Sequence, residues 1–331
     1  MKCCLVFIFM CVASCGFGGP NNVGLVEPPD CGASSVIADA PPDSSLDAPV
    51  PCDPTPPTTY VDPAGMHTSV VMQSPTNYGA TCSTPRPLVI FFGGYGSDTG
   101  YGRQQKMGMK DLRLVGSGVF VLAPDGLIQP GTPSTHYWNA SRACCDKLAV
   151  NPDDETYVSG MLDWAFTHWN VDPRYVVLIG ASNGGFMTER MRCRRPDRVS
   201  HVVDLAGAGQ ASGDPTCAAG PHVFQLVDHS LADTGIQYNG GTWTVMPTPY
   251  PAVATTLAQN DCSSFTSTQV GVFDHDANTA GAETDRLVCN NGDEHWREPS
   301  SAHVFLQTPT TGTLTTIWAG DVWAWVMGHP R

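Results

Sequence analysis

Residues 180–185 read Gly180-Ala-Ser-Asn-Gly-Gly185, and the fold of the chain turns on this hexapeptide. Before it stands Tyr175-Val-Val-Leu-Ile179, a short β-branched apolar run of the kind that forms a strand buried on both faces. After it, Phe186-Met-Thr-Glu-Arg-Met191 has helix-compatible spacing. Ser182 therefore sits in a G-x-S-x-G frame between a strand and a helix, in a turn sharp enough to lift its hydroxyl clear of the backbone. Gly180 and Gly184 suit such a turn because side chains there would collide with the strand and the helix. The amide of Asn183 is then free to meet negative charge developing on an oxygen. A Gly-rich turn alone is common; the flanking strand and helix make this one a candidate nucleophile site.

Outward from the hexapeptide, strands and helices alternate, which marks a mostly parallel sheet. Leu88-Val-Ile-Phe-Phe92 reads as a strand ending in Gly93-Gly-Tyr-Gly-Ser97, and Val119–Leu122 as another. Asp153–Trp169 reads as a helix with Tyr157, Met161, Trp164, Ala165 and Trp169 on one side. Val202–Ala206 and His222–Val227 are further strands, Val304–Thr308 is the expected last strand, and Ile317–Met327 the closing helix. The expected fold class is α/β, with helices on both faces of the sheet. The aromatics Trp164, Trp169, Trp323 and Trp325 are read as packing rather than as a carbohydrate platform.

The N-terminus carries an address. Lys2 is followed by Leu5-Val-Phe-Ile-Phe-Met-Cys-Val12, too short for a permanent membrane span. Val12-Ala-Ser-Cys15 resembles a lipoprotein signal, with residues 1–15 the signal and Cys15 the lipidated first mature residue; an ordinary secretory peptide is the alternative. Either way export is expected, with the membrane met only through the lipid on Cys15. Residues 16–60, with Ala40-Pro-Pro-Asp-Ser-Ser-Leu-Asp-Ala-Pro-Val-Pro51, are too poor in apolar groups to offset ordering entropy and read as a tether. Residues 61–331 form the expected single domain.

The whole chain carries 17 Lys+Arg against 31 Asp+Glu, a net charge of −14, which argues against nucleic acid as a partner. A monomer is expected. Of the 13 cysteines, ten lie from Cys15 onward, so lipidation of one leaves nine. Export favours disulfides among them, with Cys262–Cys289 and Cys193–Cys217 the expected pairs. Metal-ligand C-x-x-C pairs are not present, and no metal site is expected.

From about Pro87 onward the chain resembles the secreted polyhydroxybutyrate depolymerase-like esterases, which overlap with feruloyl and acetyl-xylan esterases of the α/β-hydrolase superfamily. The resemblance rests on Gly94-Tyr-Gly-Ser97, Tyr137-Trp-Asn-Ala140 with Cys144-Cys-Asp146, Asn170-Val-Asp-Pro173 and the elbow Ser182-Asn-Gly-Gly-Phe-Met187. Leu231-Ala-Asp-Thr234, Tyr238-Asn-Gly-Gly241 and Gly281-Ala-Glu-Thr284 extend it. It implies serine ester hydrolysis without metal or organic cofactor, on a small ester or on a polyester or polysaccharide ester.

Such chemistry needs an acid and a base after the serine, in the order Ser, acid, His. Asp233 matches the family's acid in Leu-Ala-Asp-Thr; Asp228, nearer the strand end, is its local rival. The oxyanion donors expected are the backbone amides of Asn183 and Tyr95. Where the family usually carries His-Gly this chain has Gly93-Gly94, which puts the rigidity of that loop in question. Gly94, Trp138 and Asn139 are pocket candidates, although such residues more often simply hold a loop.

The base is the open question. His275, in an Asp-His-Asp loop, reads as a solvated surface residue; His303 precedes an expected strand and so falls at the wrong edge of the sheet; His329 lies beyond the closing helix. His295, in Gly292-Asp-Glu-His-Trp-Arg297, resembles the family's Gly-His-x-Trp element, but in a stricter register the family's Gly-His falls on Gly312-Thr313. Threonine has no group that titrates near neutrality, so it cannot be the base. Two readings follow: either Arg286–Asn290 feeds the site and His295 is the base, or the base is absent and the chain is an impaired hydrolase-fold binding protein.

Overall fold

A computed structural model describes residues 53–67, 70–96, 98–243 and 246–331. The expected signal, Cys15 and most of the expected tether lie outside these residues. The strands are β1 (Val70–Gln73), β2 (Arg86–Phe92), β3 (Phe120–Pro124), β4 (Leu127–Ile128), β5 (His136–Tyr137), β6 (Val171–Ala181), β7 (His201–Leu205), β8 (Phe224–Ser230), β9 (Phe265–Phe273), β10 (Thr284–Cys289) and β11 (Glu294–Glu298). The helices are α1 (Tyr78–Thr81), α2 (Gly100–Lys106), α3 (Asp154–His168), α4 (Asn183–Arg194), α5 (Val253–Ala258) and α6 (Ile317–Gly328).

Among the described residues, nine strands form one sheet in the order β1-β3-β2-β6-β7-β8-β11-β10-β9. The six from β3 to β11 run parallel; β1 and β10 run against them, and the edge strand β9 pairs antiparallel with β10. The period-2 alternation of strands divides the core in two. Leu88, Ile90, Phe92, Val176, Leu178 and Val202 pack with Tyr157, Met161 and Leu162 of α3 and Phe186, Met187 and Met191 of α4. Val89, Phe91, Val177, Ile179 and Val203 pack on the opposite face with Trp318, Val322, Trp325 and Val326 of α6. This is why the central strands read as unbroken apolar runs: both faces are covered.

Helix starts are set by side-chain caps, Thr99 accepting from Gly102 N, Asp153 from Thr156 N and Thr316 from Ala319 N. Cys193–Cys217 and Cys262–Cys289 are disulfides, as expected, and the adjacent Cys144 and Cys145 are bonded to each other. Disulfides suggest an extracellular or periplasmic protein. Among the described residues no helix is long and apolar enough to cross a membrane.

One expectation fails. Val304–Thr308 is not a strand: it is a loop with one isolated bridge, Asp276 to Gln307. The last parallel strand is β11, paired with β8 so that His295 lies beside Val227 and Glu298 beside Ser230. Close to the expected boundary at residue 60, Trp169 Nε1 donates to Pro57 O at 3.1 Å and Tyr60 packs edge-on against Trp164.

Candidate active site

The turn at Ser182 has the geometry its glycines foretell. Ser182 adopts φ 54° and ψ −121°, outside the regions a non-glycine residue prefers. Such a conformation costs on the order of 1–3 kcal/mol and persists only where the surroundings impose it. Here Ser182 N donates to Leu205 O at the end of β7, and Phe186 N to Ser182 O as α4 begins. A Cβ on Gly180 would lie 2.1 Å from Gly184 O, and one on Gly184 would lie 2.3 Å from Phe92 O. Both obstacles are backbone, so neither can yield without moving a strand or a helix. Gly184→Ala is accordingly expected to cost about 1–3 kcal/mol, read as a lower denaturant midpoint at unchanged slope, with loss of any activity that depends on Ser182.

Asn183 has a second task. Its side chain accepts from Trp138 N at 2.7 Å and donates to Trp138 O at 2.9 Å, and Trp138 Nε1 donates to Gly93 O at 3.1 Å. Trp138 is 1% exposed, so it ties the elbow to the loop after β2 instead of lining an open pocket. Asn139 is engaged likewise, its N donating to Asp154 Oδ2 and its Nδ2 to Pro152 O. Gly94 lies against the elbow: a Cβ there would be 3.4 Å from Ser182 Cβ.

The loop after β2 is not left slack by its missing histidine. Asp98 Oδ2 accepts from Gly94 N at 2.8 Å and from Arg103 Nε at 2.8 Å, and Gly96 exchanges backbone hydrogen bonds with His136. Burial alone would push the Asp98 carboxyl up, but Arg103, the Gly94 amide and Lys106 hold it below its ordinary value. Tyr95 stands next to Gly94 with its hydroxyl donating to Gln129 Oε1 at 2.7 Å.

The structure brings His303, not His295, to Ser182. His303 Nε2 lies 2.8 Å from Ser182 Oγ, and His303 Nδ1 lies 2.8 Å from Asp233 Oδ2. The Asp233 side chain is fully buried while the imidazole is 30% exposed. Asp233 Oδ1 accepts from Gly235 N and Ile236 N, and Oδ2 lies 3.2 Å from His229 Nε2. Burial pushes this carboxyl up, but hydrogen bonds from His229 and His303 outweigh it and hold the group well below the usual carboxylate range. A carboxylate can only accept, so the His303 proton sits on Nδ1 and Nε2 is left to accept from the serine hydroxyl.

His295 is the second residue of β11, 1% exposed, with Nδ1 2.9 Å from Val227 O and Nε2 2.9 Å from Tyr238 Oη. Burial drives its pKa down to about 4. It is a neutral core residue, and the place beside Ser182 expected for it is held by His303, the residue expected at the wrong edge of the sheet. Thr313 lies in the loop before α6. His275 is fully buried, contrary to its reading as a surface residue, and Asp228 lies inside β8 with Oδ2 accepting from Trp318 Nε1. His229 is the orienting residue that sequence reasoning missed; its only signal is its place at the end of β8, four residues before Asp233.

A mostly parallel sheet covered on both faces, a strained serine between β6 and α4, and an acid and a histidine on the loops after β8 and β11 define an α/β-hydrolase fold. No family model matches the sequence, and no curated protein sequence matches it. Among solved structures, an acetyl xylan esterase from Aspergillus awamori superposes with a TM-score of 0.52 at 15% identity, covering 82% of this chain and 98% of that one. Esterase PE8, at 15% identity, covers 79% of this chain and 98% of its own with a TM-score of 0.46. At 15% identity the likeness to the acetyl xylan esterase speaks for the fold alone.

Proposed function

We propose that the protein is an exported serine esterase that cleaves carboxylic esters through an acyl-enzyme on Ser182. The observation that carries the reading is the unbroken chain of contacts, each 2.8 Å, from Ser182 Oγ through the His303 ring to Asp233. In this reading Ser182 Oγ attacks the ester carbonyl while His303 Nε2 takes its proton, and Asp233 remains ionised to steady the imidazolium. The amides of Asn183 and Tyr95 hold the oxyanion. Collapse of the tetrahedral intermediate expels the alcohol, which takes the proton from Nε2. A water molecule then attacks the acyl carbon, giving its proton to Nε2, and release of the acid returns that proton to Ser182. Polyhydroxyalkanoate, feruloylated or acetylated polysaccharide and short soluble esters are the substrate classes proposed. The protein acts as a monomer without a nucleic-acid partner, held at the membrane by a lipid on Cys15. Disulfides in the described residues support export. The reading of a hydrolase-fold binding protein rested on a missing base, and His303 supplies a candidate for it.

Hydrolysis of p-nitrophenyl acetate and butyrate, with fluorophosphonate labelling, tests the proposal. Turnover of at least one ester and stoichiometric labelling of Ser182, both abolished by Ser182→Ala, are expected. A wild-type chain that is neither labelled nor faster than Ser182→Ala would return the binding-protein reading.

A further inference from the structure

We propose that Asp228, His275 and Glu298 form a binding site for a divalent transition-metal cation, buried beneath the loops that carry Asp233 and His303. All three side chains are 0% exposed, and one ligating atom from each lies within 4.8 Å of the others. They come from separate segments: β8, the connection after β9, and the last residue of β11.

Each of the three side chains has one polar atom partnered and one without a partner. Asp228 Oδ2 accepts from Trp318 Nε1 at 2.6 Å, Glu298 Oε1 accepts from Thr284 Oγ1 at 2.7 Å, and His275 Nε2 lies 3.0 Å from Asp321 Oδ2. That leaves Asp228 Oδ1, Glu298 Oε2 and His275 Nδ1 buried without a hydrogen-bond partner among the described residues. His275 Nδ1 lies 3.7 Å from Glu298 Oε1, too far for a hydrogen bond. With Asp321 accepting from Nε2, a neutral His275 presents a lone pair at Nδ1, 3.7 Å from the Glu298 carboxylate. Glu283 adds a third negative group nearby: its Oε1 accepts from His275 N and Asp276 N, and its Oε2 is also unpartnered.

Electron-rich atoms converging out of water repel unless a positive charge lies among them. The arginines of the neighbouring strands do not supply it, since Arg286 is paired with Glu294 and Arg297 with Asp285. Two carboxylates with one imidazole suit a borderline cation such as zinc or manganese. The carboxylate of Asp321 on the far nitrogen is the outer contact that fixes the tautomer and orientation of a metal-bound histidine. Asp321 is also the way in, its side chain being 31% exposed. Asp233 follows Asp228 by five residues and His303 follows Glu298 by five. A cation here would fasten together the strand ends from which the acid and the histidine are launched.

The competing occupant is a proton on His275 Nδ1, and a measurement on the full-length chain separates the two. Metal-stripped protein is equilibrated with zinc chloride, bound zinc is determined by mass spectrometry, and Tm is read with and without zinc. One zinc per chain is expected, with a rise in Tm of about 5 °C at a hundredfold excess over Kd. Asp228→Asn, His275→Gln and Glu298→Gln are each expected to weaken binding at least about 100-fold, the loss typical of altered metal-site contacts, and to lose the Tm rise. Ser182→Ala should bind zinc as the wild type does. X-ray absorption of the zinc-loaded wild type should show one imidazole with oxygen ligands, a readout that holds if a variant fails to fold. Less than a tenth of a zinc per chain, zinc binding unchanged in the folded variants, or sulfur ligation would overturn the assignment. So would a higher Tm of Asp228→Asn than wild type with and without zinc, the mark of a cluster held by a proton.

Discussion

Replacing His303 with alanine is expected to lower kcat for p-nitrophenyl butyrate by at least about 10⁴-fold, to the level of Ser182→Ala, with the double variant no worse. The two groups act as one unit: without Nε2 the serine hydroxyl has no proton acceptor, and without the serine the imidazole has nothing to activate. His303 is partly exposed and meets the rest of the molecule chiefly through Ser182 and Asp233, so the loss should come with little change in Tm. His295→Ala should do the reverse. Its ring is buried against Val227 O and Tyr238 Oη, so its removal leaves polar atoms unpaired at a cost of about 1–3 kcal/mol while kcat stays within several-fold of wild type. Thr313→His should change neither. Activity lost in His295→Ala and kept in His303→Ala would reverse the assignment of the base.

The second large effect is expected at Asp233. Asparagine keeps the oxygen that accepts from Gly235 N and Ile236 N, so the loop should hold its shape. Its amide, however, would turn a donor towards His303 Nδ1, where a carboxylate now accepts. The ring must then carry its proton on Nε2, the nitrogen that has to accept from Ser182 Oγ. A fall in kcat of about 10⁴-fold at neutral pH is expected from this change of tautomer alone. His229 Nε2 keeps Ile236 O as an acceptor at 2.7 Å, which limits the structural cost. The stability change also has a sign. The folded carboxyl titrates below its unfolded value, so its contribution is complete above about pH 4 and is lost as pH falls through the folded value. Asp233→Asn should therefore lose stability relative to wild type at pH 7 and lose less of it in strong acid, measurable by thermal melts across that range. Equal kcat for the two proteins at neutral pH would remove Asp233 from the mechanism.

The elbow was legible because its strand, glycines and helix are consecutive in the sequence. A buried strand, two glycines whose positions admit no side chain, and a helix lie within about 20 consecutive residues, and each constrains the next. Asp233 was legible from its loop after β8. The histidine was hidden by the strand before it. Glu294-His-Trp-Arg-Glu298 looks nothing like a buried strand, yet four of its five residues are buried, because Glu294 meets Arg286, Glu298 meets Thr284 and Arg297 meets Asp285 across the sheet edge. Those partners are recognisable only once the sheet is assembled. Val304-Phe-Leu-Gln-Thr308 misled in the opposite sense: Phe305 is buried, but Leu306 is 65% exposed and the segment makes a single bridge. The histidine that meets Ser182 does follow the last parallel strand, but that strand is β11 and not Val304–Thr308.

Where the domain starts decides what a shortened protein would report. A chain begun at residue 61 would lack Pro57 O, the acceptor for Trp169 Nε1, and would lose Tyr60 from its place beside Tyr157 and Trp164. Trp169 in turn stacks on Phe120, a residue of the central sheet. Trimming to the edge of the proline-rich stretch would thus uncover aromatic surface that leads straight into the core. A weak or aggregating fragment made that way would speak about its cut point and not about Ser182.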